Sequence, residues 1–574
     1  MQKLEPVILR DYSGGVNNSV SNAFMPANTL RFALNMYSDP QKAPFGSLIS
    51  RTGVTAVRNV DEDMSLNLSN CSVVGLFSSK DNQILIGITN SSTTPPKTFI
   101  YYSADYASAF VNIGPAPFDW GSQVGHKIRF AQFIGYTFAC DGTYIKSWDG
   151  NVANNWGATN LTGSPTGHSI EEFQGKLYVS QNITYTSRVY FSSVPDITTN
   201  IITWNTTNDW FDVESNDGDE IVAMKKAGNV LLIWKRKSLY VWDGSTLSLI
   251  ASVGTINQEN VQVINDKVFF AYLEDVNFSI YMYSGGIVQK ISTPMNGWLN
   301  SPEDDSSLQI PSSTQNRGVG NYYGAWSDDD NYFIWINGRE RKEIYSKGIN
   351  QIILFSKIKN IFPNIILKYN ISTNTWNELS INSPVISNQL SNRIYFSTKI
   401  FITSPANKIT VLAGTNTVKL SSTTSYSISP WYWNNPSDKQ LYSSDTEDKI
   451  AKTIGTNTYQ YIPISIYIQT REEEFGSRSR IKTINSFNVF ANGAYSNMTL
   501  GMRIDGKKWE ELGKLTGRIT KFNPGKSGYF FEFKIYGETL GNKGASYIST
   551  INNSQQFIFE GFEFYDIDIE DYET

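Results

Sequence analysis

Histidine and cysteine are nearly missing from this chain, which holds 2 of each in 574 residues. With only His126 and His168, neither a histidine-rich metal site nor a repeated His-based catalytic device can be assembled. Cys71 and Cys140 cannot form a disulfide framework in so long a chain, and each is expected to be a small buried hydrophobe in a reducing cytosol. Charge is also sparse, at 18% of residues with a formal net of −5, and no dense basic block exists to neutralise many phosphates at once. Tight, sequence-reading nucleic-acid binding is therefore not expected. The opening residues MQKLEPVILRDYSGG hold no apolar signal core, and nowhere do about 18 uncharged apolar residues run together. Neither secretion by the usual route nor stable membrane association is expected. A strand-placed GxSxG, a phosphate-binding glycine loop and HExxH are all missing, so no catalytic residue, metal or cofactor is assigned. Carboxylate pairs for glycoside hydrolysis stay open, because they are defined by separation in space and 53 acidic residues supply candidates.

What is present is aromatic: Phe, Trp and Tyr make up 14% of the chain. These residues fit a pleated, half-buried surface, and windows with helical apolar spacing are scarce. The chain reads as all-β. Paired apolar runs joined by short polar loops recur at Ile84–Ala104, Ile128–Gly150, Lys176–Ser193, Asn229–Gly244, Lys267–Gly286, Asn331–Leu379 and Arg393–Ser404. Their starts recur about every 40 to 60 residues, the period of four-stranded propeller blades. Trp148-Asp149-Gly150 and Trp242-Asp243-Gly244 close two of the runs with the same turn, in which glycine supplies the positive φ. A β-propeller of six or seven blades is the expectation, with unrelated hairpins in sandwiches as the competing arrangement. After about Ser421 the chain becomes rich in Ser, Thr, Asn and Asp, and from Ile462 strands resume at closer spacing, as in a β-sandwich. The expected divisions are an extended arm with first strands at 1–60, a propeller at 61–420, a loop-rich linker at 421–461 and a C-terminal β-sandwich at 462–574.

Three polar stretches invite a chemical reading. Asp328-Asp329-Asp330-Asn331 has clustered carboxylates but lacks the glycine spacing and distal glutamate of a calcium loop, so a polar turn is expected. Asp566, Asp568 and Glu570 alternate with Ile567 and Ile569, which reads as a charged edge strand. Between two expected strands of one unit lies an insertion carrying Arg339, Arg341, Lys342, Lys347, Lys357 and Lys359 against Glu340 and Glu343. So long an excursion from a blade has either a partner-contacting role, to nucleic-acid backbone, a neighbouring subunit or a membrane surface, or packs as an extended hairpin or short helix on the rim.

The first fifty residues carry a resemblance. Gly14-Gly15-Val16-Asn17, then Pro26 and Asn28, then Leu34-Asn35-Met36, then GSLISRTG from Gly46 to Gly53, resemble the leader of tail hub and nozzle proteins of short-tailed bacteriophages, including the packaged-DNA stabilisation type. The similarity extends through the segment from Ile170 to Ser245 and through REEEFGSRSRIKTINSFNVFANG from Arg471 to Gly493. The abundance of Asn, Ile, Lys and Tyr also resembles AT-rich phages of the crAss-like group. The resemblance implies a propeller with an appended β-rich domain, assembled as a cyclic homo-oligomeric ring of six or twelve copies below the portal and its adaptor. It further implies docking to other tail proteins, transient sequence-independent contact with double-stranded DNA, synthesis in the host cytoplasm and residence in the virion tail. The basic insertion and the loop-rich linker match no feature of that family.

Gly14, Gly15, Asn17, Asn35, Arg51 and Gly53 are accordingly candidate residues of an inter-subunit arm, one too poor in apolar surface to order itself alone. Deleting Met1 to Asn18 is expected to weaken ring assembly more than folding of the single chain. Two other function classes compete with the virion role. One is a carbohydrate-binding or cleaving propeller for host recognition, with Trp and Tyr stacking on sugars, and the other is a monomeric protein-interaction propeller of the cytosol.

Overall fold

The computed structural model describes residues 2–56, 71–299, 323–337, 364–380, 394–446 and 461–570, apart from shorter stretches inside these spans and residues 539–555. Across them the molecule is almost entirely β, a propeller joined to a β-sandwich.

Seven sheets form the blades. Blade one is Cys71–Ser78, Ile84–Asn90 and Lys97–Ser103, with the short strands Val111–Asn112 and Phe118–Asp119 both on its outer side. Blade two is Arg129–Phe133, Tyr136–Cys140 and Ile145–Trp148, and blade three is Ser169–Phe173, Lys176–Ser180, Arg188–Phe191 and Trp210–Asp212. Blade four runs Ile221–Ala227, Val230–Lys235, Leu239–Trp242 and Leu247–Ala251, and blade five runs Gln262–Ile264, Lys267–Glu274, Asn277–Ser284 and Ile287–Lys290. Blade six is Tyr323–Ser327, Asn331–Asn337, Asn364–Asn370 and Thr375–Ser380. Blade seven takes Ile394–Phe401, Lys408–Gly414 and Trp431–Trp433 from late in the chain and its fourth strand, Val54–Ala56, from the start. Its innermost strand touches the innermost strands of both blade six and blade one, which closes the ring at seven.

Local chemistry explains the hairpins. Ile134-Gly135, Gln174-Gly175 and Asn265-Asp266 all have positive φ at both residues, the two-residue turn whose twist matches its flanking strands. Each joins the first two strands of its blade, with Phe133 opposite Tyr136, Phe173 opposite Lys176 and Ile264 opposite Lys267. The two Trp-Asp-Gly sequences occupy the same place in blades two and four, at the end of the third strand. In both, the aspartate accepts from the backbone two residues on, at 2.9 Å for Asn151 and 2.8 Å for Ser245. Large side chains then fill the spaces between blades. Trp234, fully buried on blade four, meets Phe270 of blade five edge to face at 5.5 Å.

One sheet of the sandwich is Leu30–Leu34, Ser465–Thr470, Phe531–Glu538, Met498–Ile504 and Glu510–Lys514. The facing sheet centres on Ile558–Ile569 and Lys482–Asn492, with Ile519–Phe522 and Lys526–Gly528 beyond the latter. Phenylalanines interdigitate between them: Phe533 lies 5.5 Å from Phe487, 5.1 Å from Phe562 and 5.2 Å from Phe564.

The N-terminal segment laces the two units together. Gln2–Lys3, Val7–Leu9 and Leu48–Ser50 pair with Ile558–Ile569, and Met36–Tyr37 pairs with Leu48–Ser50. Leu30–Leu34 lies between the last strand of blade six and Ser465–Thr470, so blade six and one sandwich sheet become a continuous nine-stranded sheet. Two readings change as a result. The acidic strand Ile558–Ile569 is interior to its sheet, because the arm covers the side that the sequence left bare, and Asp566 pairs with Lys3 at 3.1 Å. The segment read as linker supplies Trp431–Trp433 to blade seven.

Candidate functional site

The glycine pair of the leader is placed where arm and propeller backbones nearly touch. A Cβ on Gly15, whose φ is +67°, would lie 2.8 Å from the Trp376 carbonyl oxygen. The Val16 amide donates to that same oxygen at 2.9 Å, the Leu30 amide donates to the Gly15 carbonyl at 2.9 Å, and the Asn17 amide to the Leu30 carbonyl at 3.0 Å. Gly14 donates to the Asn28 carbonyl at 3.0 Å. Trp376 is itself buried, and its indole N–H is spent on the Ile291 carbonyl at 2.8 Å.

A second contact follows immediately after Leu30–Leu34 ends. Asn35, at φ 59°, donates its amide to the Glu378 carbonyl of blade six at 2.9 Å. Arg51, fully buried, donates its amide to the Asn35 carbonyl at 2.9 Å and its Nε to Asn35 Oδ1 at 3.0 Å. Nearby, the Lys368 ammonium sits 3.2 Å from the centroid of the Tyr37 ring, and burial pushes the Tyr37 phenol well above its ordinary range. Burial likewise raises the Asp328 carboxyl, against the opposing pull of Lys368. Asp328 Oδ1 accepts from the amides of Asp330 and Asn331 at 3.0 and 2.7 Å, a polar turn. Gly14, Gly15, Asn17, Asn35 and Arg51 thus converge on the seam between propeller and sandwich, bonded within their own chain. Gly53 lies outside the described residues, as do Arg339, Arg341, Lys342, Lys347, Lys357 and Lys359.

The propeller axis holds a feature that sequence reasoning missed. A short 3₁₀ turn, Gln258–Asn260, precedes blade five and reaches across the ring. Gln258 accepts from Ser169 Oγ of blade three at 2.6 Å and donates to the Met224 carbonyl of blade four at 3.1 Å. Tyr332 of blade six donates its hydroxyl to the Asn260 carbonyl at 3.0 Å, and Glu259 pairs with Lys127 at 3.0 Å and with Arg129 of blade two. Contacts to four other blades put this turn on the axis. Asn260 is fully buried: its Oδ1 takes the Thr255 hydroxyl at 2.9 Å and the Ala271 amide at 2.8 Å, and its amide groups give to Asn257. Burial alone would raise the Glu259 carboxyl, but the charges of Arg129 and Lys127 outweigh it and hold the group below its usual value. Burial in turn lowers the Lys127 ammonium, with Glu259 opposing. The sequence gives little sign of this, since Asn257-Gln258-Glu259-Asn260 reads as one more polar loop and its ion partners lie about 130 residues earlier.

No family model matches the sequence, and no curated protein matches it. Among solved structures, the chain is similar to the β-propeller domain of the Trilobed protease from Pyrococcus furiosus, at 8% identity and a TM-score of 0.33, over 64% of this chain and 96% of that one. It is similar to the AfRom2 CNH domain at 9% identity and a TM-score of 0.35, over 67% of this chain and 99% of the other. A glycoside hydrolase aligns at 12% identity and a TM-score of 0.21, over 87% of this chain and 97% of its own.

Proposed function

We propose that this chain is a structural, non-enzymatic subunit of the ring-shaped tail hub or nozzle of a short-tailed bacteriophage, below the portal, in a channel through which DNA is retained and ejected. The observation that carries the reading is the lacing of the leader: the residues that resemble the phage leader are the ones that fasten propeller to sandwich. A subunit bearing load between a portal and other tail proteins needs its two units held at a fixed angle. Main-chain pairing across a continuous sheet does this better than a flexible linker.

The axial turn refines where DNA would run. Gln258–Asn260 and the Lys127–Arg129–Glu259 ion group fill the propeller's axis at that level, so the DNA path lies on the ring's axis, between subunits. Mild net acidity suits passage, since a strongly basic wall would hold the duplex by counterion release. Electron microscopy of the purified protein, alone and mixed with its portal complex, tests the reading. A closed ring of six or twelve copies that docks on the portal supports it, and a protein that stays monomeric in both settings overturns it. In phage lacking this protein, particles are expected to fill with DNA but lose it or lack a tail; stable, tailed, infectious particles would also overturn it.

A further inference from the structure

The buried residues of the arm fasten the seam, but Ile8 and Arg10 face outward. In Val7–Leu9, Val7 and Leu9 pack on the shared core, so Ile8 stands on the outer face of the sandwich, 56% exposed. Register carries its row across the sheet: Ile8 is opposite Glu563, Glu563 opposite Asn488 and Asn488 opposite Lys521. In the neighbouring row Gly561, Phe490 and Ile519 lie side by side, and Ile519 is 57% exposed. A Cβ on Gly561 would lie 2.9 Å from Arg10 Cγ, so the glycine lets Arg10 cross the strand, and its guanidinium sits 4.0 Å from the centroid of the Phe490 ring. Arg10, Arg518 and Lys521 stand here against Glu560 and Glu563. Glu560 has Arg518 at 3.8 Å and Glu563 accepts from Asn488 at 3.4 Å, whereas Arg10 has no hydrogen-bond or ion-pair partner among the described residues.

On blade three the same combination recurs with the opposite sign. The loop between Lys176–Ser180 and Arg188–Phe191 exposes Ile183 at 65% and Tyr185 at 49%. Beside it runs the loop from Val213 to Glu220, tied to it by the Val213 amide on the Ser187 carbonyl at 2.8 Å and the Ile221 amide on the Thr186 carbonyl at 3.0 Å. Here Glu214, Asp217, Asp219 and Glu220 stand against Lys235, Arg236 and Lys237. Lys235, fully buried, holds the loop from beneath, donating to the Glu214 carbonyl at 2.7 Å and to the two Asp217 carboxylate oxygens at 2.7 and 2.8 Å. Glu220 pairs with Arg236, and Asp219 accepts the Arg236 and Lys237 amides at 3.2 and 3.0 Å. The exposed Glu214 carboxylate has no hydrogen-bond or ion-pair partner among the described residues, and a loop pinned in this way presents it at little ordering cost.

We propose that these two surfaces join neighbouring copies of this chain: Ile8, Arg10 and Ile519 of one copy dock on Ile183, Tyr185 and Glu214 of the next, and the Arg10 guanidinium meets the Glu214 carboxylate. The sandwich is joined to blade six, and in a closed ring of seven, blades two and three lie farthest from blade six. A contact between different surfaces on opposite sides of a subunit is head-to-tail, so it repeats from copy to copy and closes into a ring when the rotation allows. Apolar anchors around a charge pair that loses its water suit such a contact, and the opposite signs fix which surface meets which. The inference rests on the ring proposed above and names the surfaces that build it.

The test uses the full chain, alone and with its portal complex, and reads assembly by sedimentation velocity. Arg10→Glu and Glu214→Arg should each weaken self-association about tenfold or more, and the two changes in one chain should restore it. Both side chains are exposed, so the melting temperature of each variant should stay close to that of the natural chain. Chains carrying Ile519→Cys, mixed with chains carrying Ile183→Cys and a mild oxidant, should form a disulfide-linked pair. Ile519→Cys with Ile287→Cys, another exposed isoleucine on the outer strand of blade five, should not. Rings that form equally well with either charge change, a loss that the double change does not repair, or Ile519→Cys chains that link only to one another overturn these surfaces and leave the ring standing. A chain that stays monomeric in both settings overturns the ring itself, and these surfaces with it.

Discussion

At the scale of single residues, the seam is governed by space as much as by bonding. Gly15 and Gly175 both have positive φ, +67° and +72°, but a Cβ at Gly175 meets nothing within 4 Å. Alanine at either position incurs a backbone cost of about 1 to 2 kcal/mol, and at Gly15 an overlap with Trp376 adds to it. Gly15→Ala is therefore expected to lower the melting temperature of the isolated chain clearly more than Gly175→Ala does; equal shifts would refute the close approach. Glu473 offers a second residue-scale expectation. It is 6% exposed and forked by Arg471 at 3.1 Å to each carboxylate oxygen, while Arg471 also reaches the Met25 carbonyl of the arm at 3.3 Å. Burial pushes its carboxyl up to about 7, Arg471 opposing. A folded-state value above the unfolded one means that the native chain binds the extra proton. The stability from that proton is complete below about pH 4.5 and lost as pH rises through about 7. Melting curves between pH 5 and 8 should show a smaller acid-side gain in Glu473→Gln than in the natural chain, and an identical slope in both would dismiss the assignment.

At the scale of elements, the axial turn and the blade contacts carry different kinds of energy. Glu259→Ala leaves Lys127 and Arg129 facing each other without their carboxylate, a loss of about 3 to 5 kcal/mol for a broken buried pair. Glu259→Gln keeps the turn's shape and should fall between, and chemical denaturation of both variants ranks them; a harmless Glu259→Ala would mean that the turn does not depend on its charges. Trp234→Ala opens a void between blades four and five and is expected to cost about 3 to 5 kcal/mol by packing alone, independent of salt. The Glu259 loss should shrink modestly in salt, because the ions are mostly shielded from solvent. The hairpins were readable before the fold was known, since their turns and alternation are local. Asn229–Gly244 covers the second and third strands of blade four, and Lys267–Gly286 those of blade five. The axial ion group was not readable, because an ion pair between residues 127 and 259 leaves no periodic trace.

At the scale of the whole molecule, both ends of the chain finish the same sheets. Every paired strand in the first 56 residues, apart from the Met36–Tyr37 hairpin, meets a partner beyond residue 370. The arm can therefore settle only after the last strand has been made. Removing residues 558–574 should leave the arm open to protease between residues 2 and 50 while blades one to five stay protected, as limited proteolysis would reveal. Tyr12 packs against Phe559 in a tilted pair with ring centroids 5.3 Å apart and Val16 is buried in the shared core, so deleting residues 1–18 should lower the melting temperature of the isolated chain. An unchanged melting temperature with lost ring assembly would return the arm to a role between subunits.

Composition, alternation and turn residues determined the all-β class, the blade-like repeat and the sandwich that follows, because each is written in neighbours along the chain. The leader DYSGGVNNSV was visible as a segment unable to bury itself. What it buries against was decided only in three dimensions. The partners of Gly15, Asn35 and Arg51 lie in blade six and within the arm itself, and the ring is completed by Val54–Ala56 joining Trp431–Trp433. Such pairings depend on which sheet edges remain open once the local hairpins have formed, and no stretch of sequence records that by itself.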